Sequence, residues 1–223
     1  MASFFQVVLA VESPGRGFVM FTMWRVVGML GVGFLVAVGA AYWIFTGPAD
    51  LAQYPAAGAS PYRLPWTDGQ TFTCVQSNRG IVSHRGSEQF AYDFGMPLGT
   101  ELRAAREGKV VRVVAEHDGH GYHWPNNLVL IEHEDGTRAC YAHIRKDGNR
   151  VEVGDEVVQG QVIALSGHVG NSMMPHLHFH ITDPQKKSTI PITFSDVNQD
   201  RGIPRMFKRY TSGNIAPAES GGE

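Results

Sequence analysis

Beyond about residue 65 the apolar positions of this chain fall into short β-branched runs, each stopped by turn-forming residues: 109–115, 128–133, 137–143, 151–153, 157–165 and 176–182. Runs of this length bounded by Gly, Asp and Asn predict strands, and no stretch shows the 3.6-residue period of a convincing amphipathic helix. Glu134-Asp135-Gly136 lies between two of the runs. An Asp-Gly pair tolerates the positive φ of a tight turn, so 128–143 is predicted to be an antiparallel hairpin. The segment from Val153 to Ile163 (VGDEVVQGQVI) alternates and turns like the strands of a compact β-sandwich or barrel. Biotinyl and lipoyl carrier domains share that pattern but need a modifiable Lys in a hairpin turn, and no suitable lysine stands there. The fold class expected is all-β, a compact antiparallel β-sheet or sandwich.

One stretch breaks this pattern. Val26 to Thr46 (VVGMLGVGFLVAVGAAYWIFT) has no charged residue, and about twenty helical residues at 1.5 Å rise cross the hydrocarbon core of a bilayer. An N-terminal transmembrane helix over 26–46 is predicted. Arg16 and Arg25 precede it and Asp50 follows it, which places 1–25 in the cytoplasm and the rest outside. Trp24, Tyr42 and Trp43 suit the two interfaces. The alternative is a signal peptide cut at Val38-Gly39-Ala40 after a start at Met20 or Met23, against which the apolar run continues through Phe45. Either reading exports the remainder of the chain. The chain then divides into a short cytoplasmic segment (1–25), the helix (26–46), a Pro/Ala/Gly-rich linker (47–65), one domain (66–210) and a flexible tail (211–223).

Composition narrows the class. With 43% hydrophobic residues, 18% charged residues and 26 glycines in 223 positions, the chain is globular and rich in turns. Its net charge of −2 gives no Lys/Arg excess for a nucleic-acid partner. Cys74 and Cys140 are too few for a disulfide framework and too far apart in sequence for a Cys-based zinc site, although outside the cytoplasm they could form one bridge.

The candidate chemistry lies in the ten histidines, and their arrangement matters more than their number. In Pro175-His176-Leu177-His178-Phe179-His180 alternate side chains share one face of a strand, so three imidazoles point one way while Leu177 and Phe179 point the other. This fits a polar site in front of an apolar core; the alternative is a surface strand with solvated histidines. Upstream stand Tyr141-Ala142-His143, His84 and Asp93. A catalytic zinc commonly takes three ligands from His, Asp and Glu and keeps one position for water. His117, His120 and His123 sit in a Gly-rich loop that could border a cleft; His133 and His168 read as structural or exposed, and Asn127 as a substrate or structural contact.

Taken in order, Tyr92-Asp93-Phe94-Gly95-Met96-Pro97-Leu98-Gly99-Thr100, Ala104-Ala105-Arg106-Glu107-Gly108-Lys109-Val110, Tyr141-Ala142-His143, Val153-Gly154-Asp155 with Gly160-Gln161, Ser166-Gly167 and Pro175-His176-Leu177-His178-Phe179 resemble the M23 (LytM/lysostaphin-type) zinc metallopeptidases. The resemblance covers about residues 72 to 183. It implies an antiparallel sheet with a long open groove, and one Zn2+ held by His84, Asp93 and His178 with His143 and His176 as catalytic histidines beside it. Two positions depart from the family pattern. The usual first motif is His-x-x-x-Asp, whereas eight residues, 85–92, separate His84 from Asp93. The last motif commonly continues with an acidic residue where this chain has His180, which would be an outer-shell group or a spare ligand.

The resemblance further implies a zinc metalloendopeptidase that cuts peptide bonds of peptidoglycan. With the anchor, it would be a single-pass protein of the bacterial inner membrane whose C-terminal domain faces the periplasm or extracytoplasmic space, with a possible regulatory partner in the envelope. Two alternatives stand beside this: a non-enzymatic LytM-like activator of a cell-wall amidase, and a peptidase acting on a protein substrate.

Overall fold

The computed structural model describes residues 32–36, 38–39 and 50–217. The chain forms two units, 1–41 and 42–223. In the first, residues 32–36 and 38–39 are helical and exposed. The rest of the membrane helix expected over 26–46 lies outside the described residues, and among the described residues no helix is long and apolar enough to cross a membrane.

Residues 50–217 contain β1 (Thr71–Gln76), β2 (Tyr92–Gly95), β3 (Glu101–Arg103), β4 (Gly108–Val114), β5 (Leu128–Glu132), β6 (Arg138–Ala142), β7 (Ile144–Asn149), β8 (Glu156–Val157), β9 (Val162–Ser166), β10 (His176–Asp183), β11 (Ser188–Thr189) and β12 (Arg209–Thr211). The larger sheet runs β12-β1-β2-β10-β6-β5-β4-β8, with β11 on β10, and the smaller runs β3-β9-β7. The neighbouring strands pair antiparallel, as expected of an all-β domain. The predicted hairpin is β5–β6, paired from Leu128↔Ala142 to Glu132↔Arg138.

The alternation on β10 sets the register. Leu177, Phe179 and Ile181 are fully buried in a core with Trp66, Tyr92, Phe94 and Phe194. Burying each such side chain is worth roughly 1.5–3 kcal/mol, so a one-residue slip, which would turn three imidazoles into that core, is strongly disfavoured. The opposite face is no solvated surface: His176 and His180 are buried as well. Cross-strand pairing places His178 beside Asp93 of β2 on one side and Ala142 of β6 on the other, and Asp93 beside Gln76 of β1.

Three expectations are corrected. The linker drawn over 47–65 packs on the domain from Tyr54 onward, because Tyr54 lies against the core, edge-on to Phe90, Ser60, Tyr62 and Leu64 are buried and Arg63 N donates to Ala105 O at 2.9 Å. Its Pro/Ala-rich composition masks the period-2 series Tyr62, Leu64, Trp66. The tail drawn from 211 is tied in at least as far as Asn214, which is buried and whose Nδ2 donates to Leu64 O and Ala104 O, both at 3.1 Å. The possible disulfide does not form; both cysteines are buried and free. Cys74 lies on β1 and Cys140 on β6, with β2 and β10 between them. Three inter-strand steps amount to about 14 Å, twice what a disulfide spans.

Candidate metal centre

His84, Asp93 and His178 meet on the polar face of the larger sheet, each offering one ligand atom within 4.8 Å of the others. Asp93 Oδ1 is the hub: His178 Nδ1 is 2.8 Å from it, His84 Nε2 3.2 Å and His176 Nε2 3.6 Å. The eight residues between His84 and Asp93 fold back through a 3₁₀ turn, Gly86–Glu88, so the wide spacing does not keep the two apart. Asp93 Oδ2 is held by Gln76 Nε2 at 2.9 Å, and that amide also donates to Ser83 Oγ at 2.8 Å.

Three of the rings are fixed by contacts at Nδ1. His84 Nδ1 donates to Ser77 O at 2.9 Å, His143 Nδ1 to Val169 O at 2.7 Å and His176 Nδ1 to Met174 O at 2.7 Å. A ring that donates from Nδ1 presents the Nε2 lone pair. His84 is completely buried, and its Nε2 has no hydrogen-bond partner. This lone pair faces a carboxylate oxygen 3.2 Å away, an arrangement that a cation satisfies and that costs free energy without one. Two imidazoles and a carboxylate form a donor set suited to zinc, so these residues fit the ion.

His143 and His176 lie beside this set, with ring centroids 4.5 Å apart, and His143 is 5.9 Å from His178. His143 takes a left-handed backbone, φ 64°, at the turn from β6 to β7. Its N–H is held by Asn127 O at 3.0 Å and Asn126 Oδ1 at 3.2 Å. A non-glycine residue kept in that region is strained and needs such support.

Electrostatics separates the histidines. Burial, together with the like charges of His176 and His178, lowers His143 to about 3, and burial also lowers His176. Both are neutral at pH 7 and can accept a proton. Burial opposes charge on His178 too, but Asp93 and Glu88 outweigh it and raise it to about 9. Burial likewise works against the Asp93 carboxylate, but the neighbouring His178 and His84 imidazoles outweigh it and hold the carboxylate well below the usual range.

His180 and Glu88 stand behind His178. His180 Nδ1 is 3.0 Å from His178 Nε2 and 3.1 Å from Glu88 Oε2. Gln76, Glu88 and Ser172, which is 3.2 Å from His176 Nδ1, were missed by sequence reasoning, as were the carbonyls of Ser77, Val169 and Met174. Carbonyl contacts leave no mark in a sequence, whereas the position of Glu88 between His84 and Asp93 is a signal that could have been used. His117, His120 and His123 are not among the donors: His120 packs on His168 and His123 on Tyr122. Tyr122 of that loop does line the cleft over the centre, about 380 Å³ in volume, with Val75, Val82, Met173 and Met174. His133 is a buried structural residue, its Nδ1 on Glu107 O at 2.7 Å. Asn127 is structural as well, closing the 117–127 loop through both its amide atoms.

The glycyl-glycine endopeptidase ALE-1 of Staphylococcus capitis is 39% identical to this chain over 94 residues, 42% of this chain and 24% of that protein. The peptidoglycan DD-endopeptidase ShyB of Vibrio cholerae is 36% identical over 101 residues, 45% of this chain and 21% of its own length. The match thus spans about a quarter or less of these relatives. Among solved structures, the catalytic domain of lysostaphin from Staphylococcus simulans aligns with a TM-score of 0.40 at 27% identity, covering 55% of this chain and 88% of that one. The family model described as peptidase family M23 matches residues 87–191, which include Asp93, His143, His176 and His178 and begin just after His84. Over that segment, a little under half of the chain, the sequence is similar to peptidase family M23.

Proposed function

We propose that this domain is a zinc endopeptidase that hydrolyses peptide bonds of peptidoglycan, held at the outer side of the bacterial inner membrane by segment 26–46. The observation that carries the reading is the convergence of His84 Nε2, Asp93 Oδ1 and His178 Nδ1 on one spot, next to His143 and His176, two neutral histidines anchored through Nδ1. The activities of the relatives, glycyl-glycine and DD-endopeptidase, support the substrate class. When bound, zinc supplies a Lewis acid and lowers the pKa of a coordinated water toward about 7.

The chain's own residues supply the rest. His143, pinned at Val169 O, offers Nε2 to take a proton from the attacking water and return it to the leaving amine. His176, pinned at Met174 O, faces the same space and, once protonated, steadies the negative charge that develops on the scissile carbonyl oxygen. Gln76 orients Asp93 by binding its other oxygen. Val82, Tyr122, Met173 and Met174 give the cleft apolar walls for an extended peptide.

The decisive experiment incubates the zinc-loaded protein with purified peptidoglycan and identifies the products by mass spectrometry. New amino termini within the peptide cross-links, lost on chelation, are expected. Zinc binding without cleavage, coupled to stimulation of an added amidase, would replace this reading with the activator one. Cleavage of unfolded protein but not of peptidoglycan would move the substrate class.

A further inference from the structure

On the side of the His178 ring away from Asp93 lies a second set of donors. His178 Nε2 is 3.0 Å from His180 Nδ1 and 3.6 Å from Glu88 Oε2, and the last two are 3.1 Å apart. Donor atoms around one tetrahedral ion with bonds of about 2.0–2.1 Å stand about 3.3–3.4 Å from each other, and the three distances straddle that spacing. Glu88 Oε2 is buried with no hydrogen-bond partner. The Glu88 side chain as a whole is 43% exposed, which leaves an open side for a water ligand.

Protons do not satisfy this triangle once His178 ligates through Nδ1. A neutral imidazole bound that way carries its proton on Nε2. If that proton is donated to His180 Nδ1, the His180 nitrogen is an acceptor and faces the carboxylate oxygen, a second acceptor, at 3.1 Å. If His180 Nδ1 instead carries a proton toward Glu88, two N–H groups meet at 3.0 Å. Either way one contact stays unfavourable. A cation bonded to all three atoms removes the conflict; the Nε2 proton of His178 leaves to solvent, and the ring bridges two ions.

We propose that Glu88, His178 and His180 form a second divalent-cation site, selective for zinc-like ions by its two imidazoles and one carboxylate. It shares the His178 ring with the first site and rests on the reading of His178 as an Nδ1 ligand. Both departures from the family pattern serve it: the long span between His84 and Asp93 carries the 3₁₀ turn that presents Glu88, and His180 replaces the customary acidic residue. Because the second ion must displace a proton and lie near a first dication, it binds more weakly than the first.

The test titrates the metal-free full chain with Zn2+ in competition with a chromogenic chelator, with circular dichroism to confirm folding of every variant. Wild type is expected to take one tight equivalent and one weaker equivalent. Glu88→Gln and His180→Asn keep the tight one, and the weaker one falls at least about tenfold in affinity. Asp93→Asn loses the tight one, and zinc held by remaining surface histidines is common to all variants. One equivalent in wild type, or a second equivalent that survives in both variants, overturns the second site. Absence of any tight equivalent dependent on Asp93 overturns the metallopeptidase reading itself.

Discussion

At the scale of single residues, the choice of ring nitrogen decides the role of each histidine. Three rings are anchored at Nδ1 by backbone carbonyls, whereas His178 turns Nδ1 to Asp93. His84 depends most on this geometry, because it lies outside the segment matched to the family and yet is fully buried with an unpartnered Nε2. His84→Ala should therefore release zinc nearly as readily as Asp93→Asn or His178→Ala, whereas His180→Ala should keep the ion at the first site. Zinc stoichiometry after dialysis against a weak chelator measures the ranking, and full zinc and activity in His84→Ala would remove His84 from the ligands. His143 differs in kind, since Asp93 Oδ1 has His84, His176 and His178 as its histidine neighbours. His143→Ala should keep zinc and lose about 100-fold or more in peptidase activity. A parallel fall in zinc content would make it a ligand instead.

At the scale of elements, legibility followed periodicity. The hairpin 128–143 and the two-faced strand 176–183 could be read because their alternation and the Asp135-Gly136 turn are local signals. Strands β1 and β2 lacked clean alternation, and β7 (IRKDGN) looks like a loop because its hydrogen bonds, not its side chains, define it. The site was legible as a set of side chains; its supporting carbonyls, Gln76 and Glu88 were not, because loops that fold back leave no period. His133 shows what such an element hides. It lies at the end of β5, packed edge-on against Tyr62 at 5.6 Å, and burial lowers its pKa below the ordinary value. A histidine kept neutral by the fold binds fewer protons folded than unfolded, so its contribution to stability is present above about pH 6.5 and is lost as pH falls below it. One pH unit lower, that loss is at most about 1.4 kcal/mol. Melting of the metal-free protein should fall more steeply between pH 7.5 and 5.5 in wild type than in His133→Gln, and equal slopes would assign the acid sensitivity to other groups.

At the scale of the whole molecule, the domain works only where its substrate is, and two features of the chain bear on that. Its charge of −2 gives no strong pull toward an anionic membrane surface, so the proposed place at the bilayer rests on a covalent anchor. Segment 26–46 has the length and the absence of charge to be one, with Arg16 and Arg25 on the side expected to stay inside. Because Tyr54 already packs against the core, edge-on to Phe90, the proposed tether from Thr46 is only about seven residues, 47–53. Fully extended, that would reach no more than about 25 Å. Under the proposed anchoring the cleft would stay close to the membrane and act on the inner layer of the wall. Protease added to intact spheroplasts should digest the carboxy-terminal domain, while the domain remains in the membrane fraction after washing with high salt. Protection from protease would reverse the orientation. Recovery of the domain as a soluble protein whose amino terminus lies near Ala40 would show that the segment is a cleaved signal, and would free the enzyme to act at a distance.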